Sequence, residues 1–193
     1  MPQRSVREQV VEAGLQQFHQ HGFNGAGVKD ITDAAAVPKG SFYNHFESKE
    51  ALALVVLERY GQTLRMERLQ DTSVPPLDRL REHFTFLRDQ ITGSGYTKGC
   101  LFGNFGAEMA DHSTPIRAAV HNAFTSWGAL LTACIEQAQA DGSIRADLKA
   151  ADTALFILNA WEGTAIAARA DQSMTAFDAF FSLVFDTLLT QPR

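Results

Sequence analysis

Between residues 22 and 48 the chain is interrupted three times within a few helical turns, and this punctuation limits its folding more than any other feature. Gly22 ends a helical stretch that begins at Ser5, a good N-cap, and carries Val6, Val10, Ala13 and Phe18 at helical spacing. Val37-Pro38 ends a second stretch, Val28 to about Ala35, because the residue before a proline is driven out of the α region. Pro38 then suits the start of a third, Lys39 to Phe46, where its missing N–H costs nothing, and Ser48 caps a fourth that runs to about Leu69. Two helices of about two turns bury little by themselves. Packed on the first helix they form a three-helix unit that projects its last helix outward, which is helix-turn-helix geometry.

Helical periodicity continues to the end, at about 77–92, 99–110, 115–140, 148–169 and 174–189, broken by Gly93-Ser94-Gly95, Asp111 to Thr114, Asp141-Gly142 and Asp171-Gln172-Ser173. No pair of alternating β-branched runs is joined by a hairpin turn, so the expected fold is all-α. The polar, proline-bearing stretch Asp71 to Pro76 predicts a small amino-terminal domain, 1–50, and a larger helical bundle, 51–193, bridged by the fourth helix at about 48–69. The 193 residues, 45% hydrophobic and 20% charged, suit one globular protein of one or two domains. The opening MPQRSVREQVVEAG lacks the apolar core of a signal peptide and no later run is long enough to span a bilayer, so a cytoplasmic protein is expected. Cys100 and Cys134 show no C-x-x-C or Cys/His ligand spacing, so free thiols are expected, with no disulfide framework, metal or cofactor.

In the segment VPKGSFYNHFESKE, residues 37–50, Val37, Phe42 and Phe46 can pack inward and leave Lys39, Ser41, Tyr43, Asn44 and His45 outward. These are donors suited to phosphates and base edges, with Lys39 and Lys49 flanking as cations and Gly40 allowing close approach at the helix start. An ordinary solvated helix face is the other reading. The formal net charge of −5 supplies no bulk attraction to nucleic acid, and Glu8, Glu12, Asp30, Asp33, Glu47 and Glu50 about balance the bases of the first fifty residues. Binding would therefore rest on the placement of charge rather than its excess.

The ordered set Phe18-His19-Gln20-His21-Gly22-Phe23, Asp30-Ile31, Ala34 to Val37, Lys39-Gly40, Phe42-Tyr43-Asn44-His45-Phe46 and Ser48-Lys49-Glu50 resembles the TetR family of transcriptional repressors over about residues 5–57. The resemblance implies a homodimer binding double-stranded operator DNA, its third helix in the major groove. It places Lys39, Gly40, Ser41, Tyr43, Asn44, His45 and Lys49 at the family's DNA-contacting positions, mostly on phosphates. Many members carry a Thr or Ser capping helix two and touching phosphate. Here Gly25-Ala26-Gly27-Val28 stands instead, with backbone N–H groups or Lys29 as substitutes.

The carboxy-terminal helices carry Phe84, Phe102, Phe105, Met109, Trp127 and Trp161, which read either as core or, together with Cys100, as the lining of a pocket for a small apolar, aromatic or electrophilic effector. Ala154, Leu155, Leu158 and Trp161, then Phe177, Phe180, Phe181, Val184, Phe185 and Leu188, make two strongly apolar faces, which the family resemblance assigns to a four-helix dimer interface. Lys98-Gly99-Cys100-Leu101-Phe102-Gly103-Asn104-Phe105, with Ala107-Glu108 and Asp111, resembles the TetR subgroup that includes the N-ethylmaleimide reductase repressor and acrylate-responsive regulators. A helix start and Lys98 would favour the Cys100 thiolate as a sensor, while a buried Cys100 would be a small apolar residue; Cys134 reads as structural. Catalysis is the rival class, as is an interaction or ligand-binding protein without DNA binding. No H-E-x-x-H, phosphate loop or nucleophile elbow is present, Asp111-His112-Ser113 cannot converge as a triad, and Glu108 with His112 makes at most two metal ligands. No catalytic residue is expected, and the function expected is that of a repressor released from its operator by a small molecule.

Overall fold

The computed structural model describes residues 5–190, and among them every regular element is helical. The elements are α1 (Val6–Gly25), α2 (Val28–Ala34), α3 (Lys39–Tyr43), α4 (Lys49–Thr63), α5 (Pro76–Gly93), α6 (Leu101–Met109), α7 (Thr114–Ala140), α8 (Ala150–Asp171) and α9 (Thr175–Leu183). Ser5 caps α1 by accepting from the Glu8 N–H, and Ser48 caps α4 by accepting from Ala51. No helix among the described residues is long and apolar enough to cross a membrane.

Gly22 breaks α1 as its position suggests: at φ 69°, ψ −178° it occupies a region essentially reserved for glycine, and one further turn follows to Gly25. The fourth helix stops short of the expected Leu69. Arg65, at φ 52°, turns the chain left-handed into a single 3-10 turn, Met66–Gln70, and the Arg65 guanidinium lies 4.7 Å from the centre of the Phe86 ring. At the other end α9 passes into a π-helical turn, Val184–Leu188, which lets Val184, Phe185 and Leu189 all turn inward.

Packing sorts the chain into two compact units. Among the described residues, one takes in those up to Thr63 together with Leu101–Asn122; the other takes Leu64–Cys100 and those from Ala123 on, so that α7 contributes to both. The sequence boundary at residue 50 therefore does not follow the packing: α4, α6 and the start of α7 lie with the helix-turn-helix. The first unit closes on Val10, Val11, Phe18, Ile31, Phe42, Leu52, Val56 and Phe105, and the second on Leu80, Phe84, Trp127, Leu131, Leu158, Trp161 and Phe177.

Candidate DNA-reading helix and sensor cysteine

α3 has only five residues, so its pose comes from packing. Phe42 and Phe46 are buried with ring centres 5.7 Å apart, Arg7 covers the Phe46 ring at 5.3 Å, and Val37 is half-buried. With those side chains inward, Lys39, Gly40, Tyr43, Asn44 and His45 are exposed and Ser41 half-exposed. Tyr43 sets its ring edge against Phe42 while remaining 56% exposed. A Cβ added at Gly40 would meet nothing within 4 Å, so no internal contact requires glycine there.

At the start of α2 the Asp30 carboxylate accepts from the N–H of the N-cap Gly27 at 3.0 Å, the half of a capping box that the third helical residue supplies, while Gly27 has no side chain to supply the other half; a Cβ on Gly27 would press on that carboxylate. Lys29 is exposed and paired to Asp33, one turn on, which raises its pKa chiefly through the direct bond. Several acids of this unit are likewise engaged: Glu8 holds Arg59 in a two-bond pair, and Glu50 accepts from the Ser113 hydroxyl that also caps α7 by accepting from Ile116.

Lys49, expected to face phosphate, is instead tied into the unit. Its ammonium donates to the Phe23 and Ala26 carbonyls, at 2.7 and 3.0 Å, and sits 4.3 Å from the centre of the Phe23 ring. It thereby satisfies carbonyls left over at the end of α1. Burial lowers its pKa, opposed by the charge of Glu108. Glu108, on α6, also accepts from the Asn24 N–H at 3.0 Å, and it occupies the space a Cβ on Gly22 would need. In sequence Glu108 stands in the subgroup-like segment and one turn before His112, with which it would make at most two metal ligands. His112 is exposed, and no cluster of three or more potential metal ligands occurs among the described residues.

The aromatic set is divided between the two units. Phe102 packs on Tyr60 at 5.2 Å, and Phe105 on Phe18 and Phe23 at 5.4 and 5.8 Å; with Met109 they belong to α6 and the first unit. In the second unit Phe84 meets Trp161 and Phe180, each at 5.2 Å, and Trp127 donates its indole N–H to His83 Nε2 at 3.0 Å. This bond makes Nε2 the acceptor, so the proton of the neutral ring sits on Nδ1. Burial pushes the His83 pKa down to about 4, and Nδ1 has no partner.

Cys100, directly before α6, is 7% exposed, and Lys98 is exposed. The thiol is hydrogen-bonded to the carboxyl of Glu162 on α8, whose pKa burial pushes up to about 7 against the thiol's opposing effect. Although part of Glu162 reaches the surface, its Oε1 is sealed and unpartnered. Cys134 donates to the Pro76 carbonyl at 3.1 Å, and burial raises its pKa to about 11, in line with a structural thiol. The signal for His83 and Glu162 was present in the sequence as polar residues within apolar rows, His83 between Leu80 and Leu87 and Glu162 directly after Trp161.

A solvent-facing short helix held on a two-helix support, with every regular element among the described residues helical, is the geometry of helix-turn-helix DNA-binding regulators. Residues 10–56 match the family described as bacterial regulatory proteins, tetR family, and residues 76–184 the tetracyclin repressor-like C-terminal domain. The chain belongs to the TetR family. It is 38% identical to the HTH-type transcriptional repressor DhaR of Mycobacterium sp. (strain GP1), over 98% of this chain and 95% of that protein. Among solved structures it resembles a regulatory protein TetR from Rhodobacter sphaeroides (TM-score 0.87, 30% identity, 93% and 96% of the two chains). It also resembles the reduced form of Escherichia coli NemR (TM-score 0.86, 29% identity, 98% and 99%).

Proposed function

We propose that this regulator is a cytoplasmic, homodimeric repressor rather than an enzyme, with an amino-terminal reading head and a carboxy-terminal effector and dimerisation part, released from its operator by a small electrophilic or aromatic molecule. Lys39, Ser41, Tyr43, Asn44 and His45 of α3 contact DNA, Lys39 and Tyr43 on phosphates, Ser41 and Asn44 on base edges. The observation that carries this reading is the outward row of α3 with the open position at Gly40, whose small size serves something approaching from outside. Lys29 contributes charge at the rim, and Lys49 acts by holding the α1–α2 turn in place. The names of DhaR and NemR as repressors support the same sign of regulation.

The apolar faces of α8 and α9 are largely consumed inside one chain: Ala154, Leu158, Trp161, Phe177, Phe180, Val184 and Phe185 are buried. What remains outside is Leu155, Phe156 and Ile166 on α8 and Leu183 on α9, each more than half exposed, and these form the dimer contact. Cys100 is the effector-responsive thiol, and Phe84, Trp127 and Trp161 lie in the same unit as that thiol. An adduct on a side chain so enclosed cannot keep the original packing. The test is a gel shift on the upstream intergenic DNA with and without a thiol-reactive compound, for the parent, Cys100→Ser and Cys134→Ser. Binding by all three, with release lost only in Cys100→Ser, supports the reading. A parent that does not bind at low salt, or a Cys100→Ser protein released like the parent, overturns it.

A further inference from the structure

Two buried groups in the second unit meet without an evident role in packing, the Cys100 thiol and the Glu162 carboxyl. The bond lowers the pKa of the carboxyl, the sign expected when the thiol donates to the ionised carboxylate, and in that state the S–H proton points along the path of its departure. The remaining carboxyl oxygen, Oε1, is shut away from water with no donor opposite it. A buried acceptor left unsatisfied is destabilising, and an apolar side chain would fill the space without placing a charge there. A carboxyl retained at that cost beside a nucleophile is the arrangement of a base beside its acid.

We propose that Glu162 is the proton acceptor that makes Cys100 reactive toward uncharged carbon electrophiles. This rests on Cys100 being the responsive thiol. In the step, the sulfur–carbon bond forms as the S–H bond breaks, and the proton passes to the Glu162 carboxylate. When the electrophile is an activated double bond, its π pair moves to the carbon next to the activating carbonyl, and that carbon takes the proton back from Glu162. The product is a neutral thioether, nothing is oxidised or reduced, and the carboxylate is regenerated. Proton transfer to a positioned base lets a thiol react without first standing as a free thiolate in an enclosed site.

The charged and titratable groups on the packed elements of this unit leave Glu162 to burial and to Cys100. Arg169, two turns along α8, lies against Gly99, where an added Cβ would come within 3.0 Å of its Cδ. His83 on α5 is held neutral by burial, and Asp178 on α9 is exposed. Only burial and the thiol bond set where the carboxyl titrates, at about 7, which matches a base working near neutral pH.

The test uses the full chain and acrylamide as the probe, following adduct formation by intact mass at pH 5.5–8.5 in the parent, Glu162→Gln, Glu162→Asp and Cys100→Ser. The parent should take one adduct, absent in Cys100→Ser, at a rate that rises through pH 7 and then levels. Glu162→Gln should react at least about tenfold more slowly at pH 7, with a rate still climbing above pH 8, and Glu162→Asp should recover part of the loss. If Glu162→Gln keeps the parent's rate and profile, Glu162 is structural while the sensor reading stands. The parent profile decides the matter even should a variant fail to fold, since a rate with no inflection near pH 7 overturns the proposal. A parent that takes no adduct at Cys100 overturns the sensor reading as well.

Discussion

Replacing Gly22 by alanine tests the joint between the reading head and α6 within the first unit. Gly22 stands at φ 69°, ψ −178°, where any residue with a Cβ is strained by about 1–3 kcal/mol. The new methyl would also overlap the Glu108 carboxylate, which must then move and release the Asn24 N–H, a further loss of about 1 kcal/mol. The expected destabilisation is therefore about 2–4 kcal/mol, or about 5–15 °C in Tm for a chain of this size. Urea unfolding followed by far-ultraviolet circular dichroism at pH 7 measures it. A second variant separates the two causes: Gly22→Ala with Glu108→Ala removes the overlapping carboxylate and should be no less stable than Gly22→Ala alone, leaving the backbone strain. A Gly22→Ala protein within about 0.5 kcal/mol of the parent would refute both the glycine-only conformation and the position of Glu108.

Lys49→Met should cost about 1–2 kcal/mol of stability by leaving the Phe23 and Ala26 carbonyls without their donor, whereas Lys39→Ala should leave stability unchanged and flatten the salt dependence of operator binding by about one unit per subunit; equal melting of the two variants would contradict this. His83 and Glu162 should pull stability in opposite directions with pH. The unfolded histidine takes up a proton below about 6.5 while the folded one resists to about 4, so its contribution is present above 6.5 and lost as pH falls through 4. The unfolded glutamate loses its proton above about 4.5 while the folded one keeps it to about 7, so its contribution is present below 4.5 and lost as pH rises through 7. Each swing is worth about 3 kcal/mol, so Glu162→Gln should lose stability more steeply than the parent from pH 6.5 to 4, and His83→Gln should lose it from pH 4.5 to 7; urea melts showing one common slope would disprove the assignment. Cys134 should stay unlabelled when the native protein meets iodoacetamide at pH 7 and react only on unfolding, as peptide mapping would show.

The helix order was legible because local signals and packing agree: Gly22, Val37-Pro38 and Ser48 punctuate the chain, and Phe42 and Phe46 turn inward as their spacing requires. The fourth helix ends earlier than its periodicity suggests because Arg65 carries no sequence mark of its left-handed conformation; Phe86, whose ring both Arg65 and Arg68 approach, belongs to α5 and lies outside the helix that the pattern describes. Lys49 reads as a surface cation because long-range hydrogen bonds to backbone carbonyls leave no periodic trace. The aromatic residues of α5, α6, α7 and α8 look alike along the chain. Only folding assigns Phe102 and Phe105 to the first unit and Phe84, Trp127 and Trp161 to the second. Glu162 and His83 are buried by partners on other helices, so their altered acidity follows from contacts that no single segment contains.

The anchoring of Glu108 to Asn24 and of Ser113 to Glu50 bears on how regulators of this kind can be recombined. A chimera that joins this reading head to the effector part of a relative by a single crossover after α4 would leave Leu101–Asn122 behind. The Asn24 N–H and the Glu50 carboxylate of the transplanted head would then depend on whatever side chains the relative's own α6 and α7 present. A workable graft takes two pieces, the chain up to Thr63 and the segment 101–122, and transfers them as one cassette.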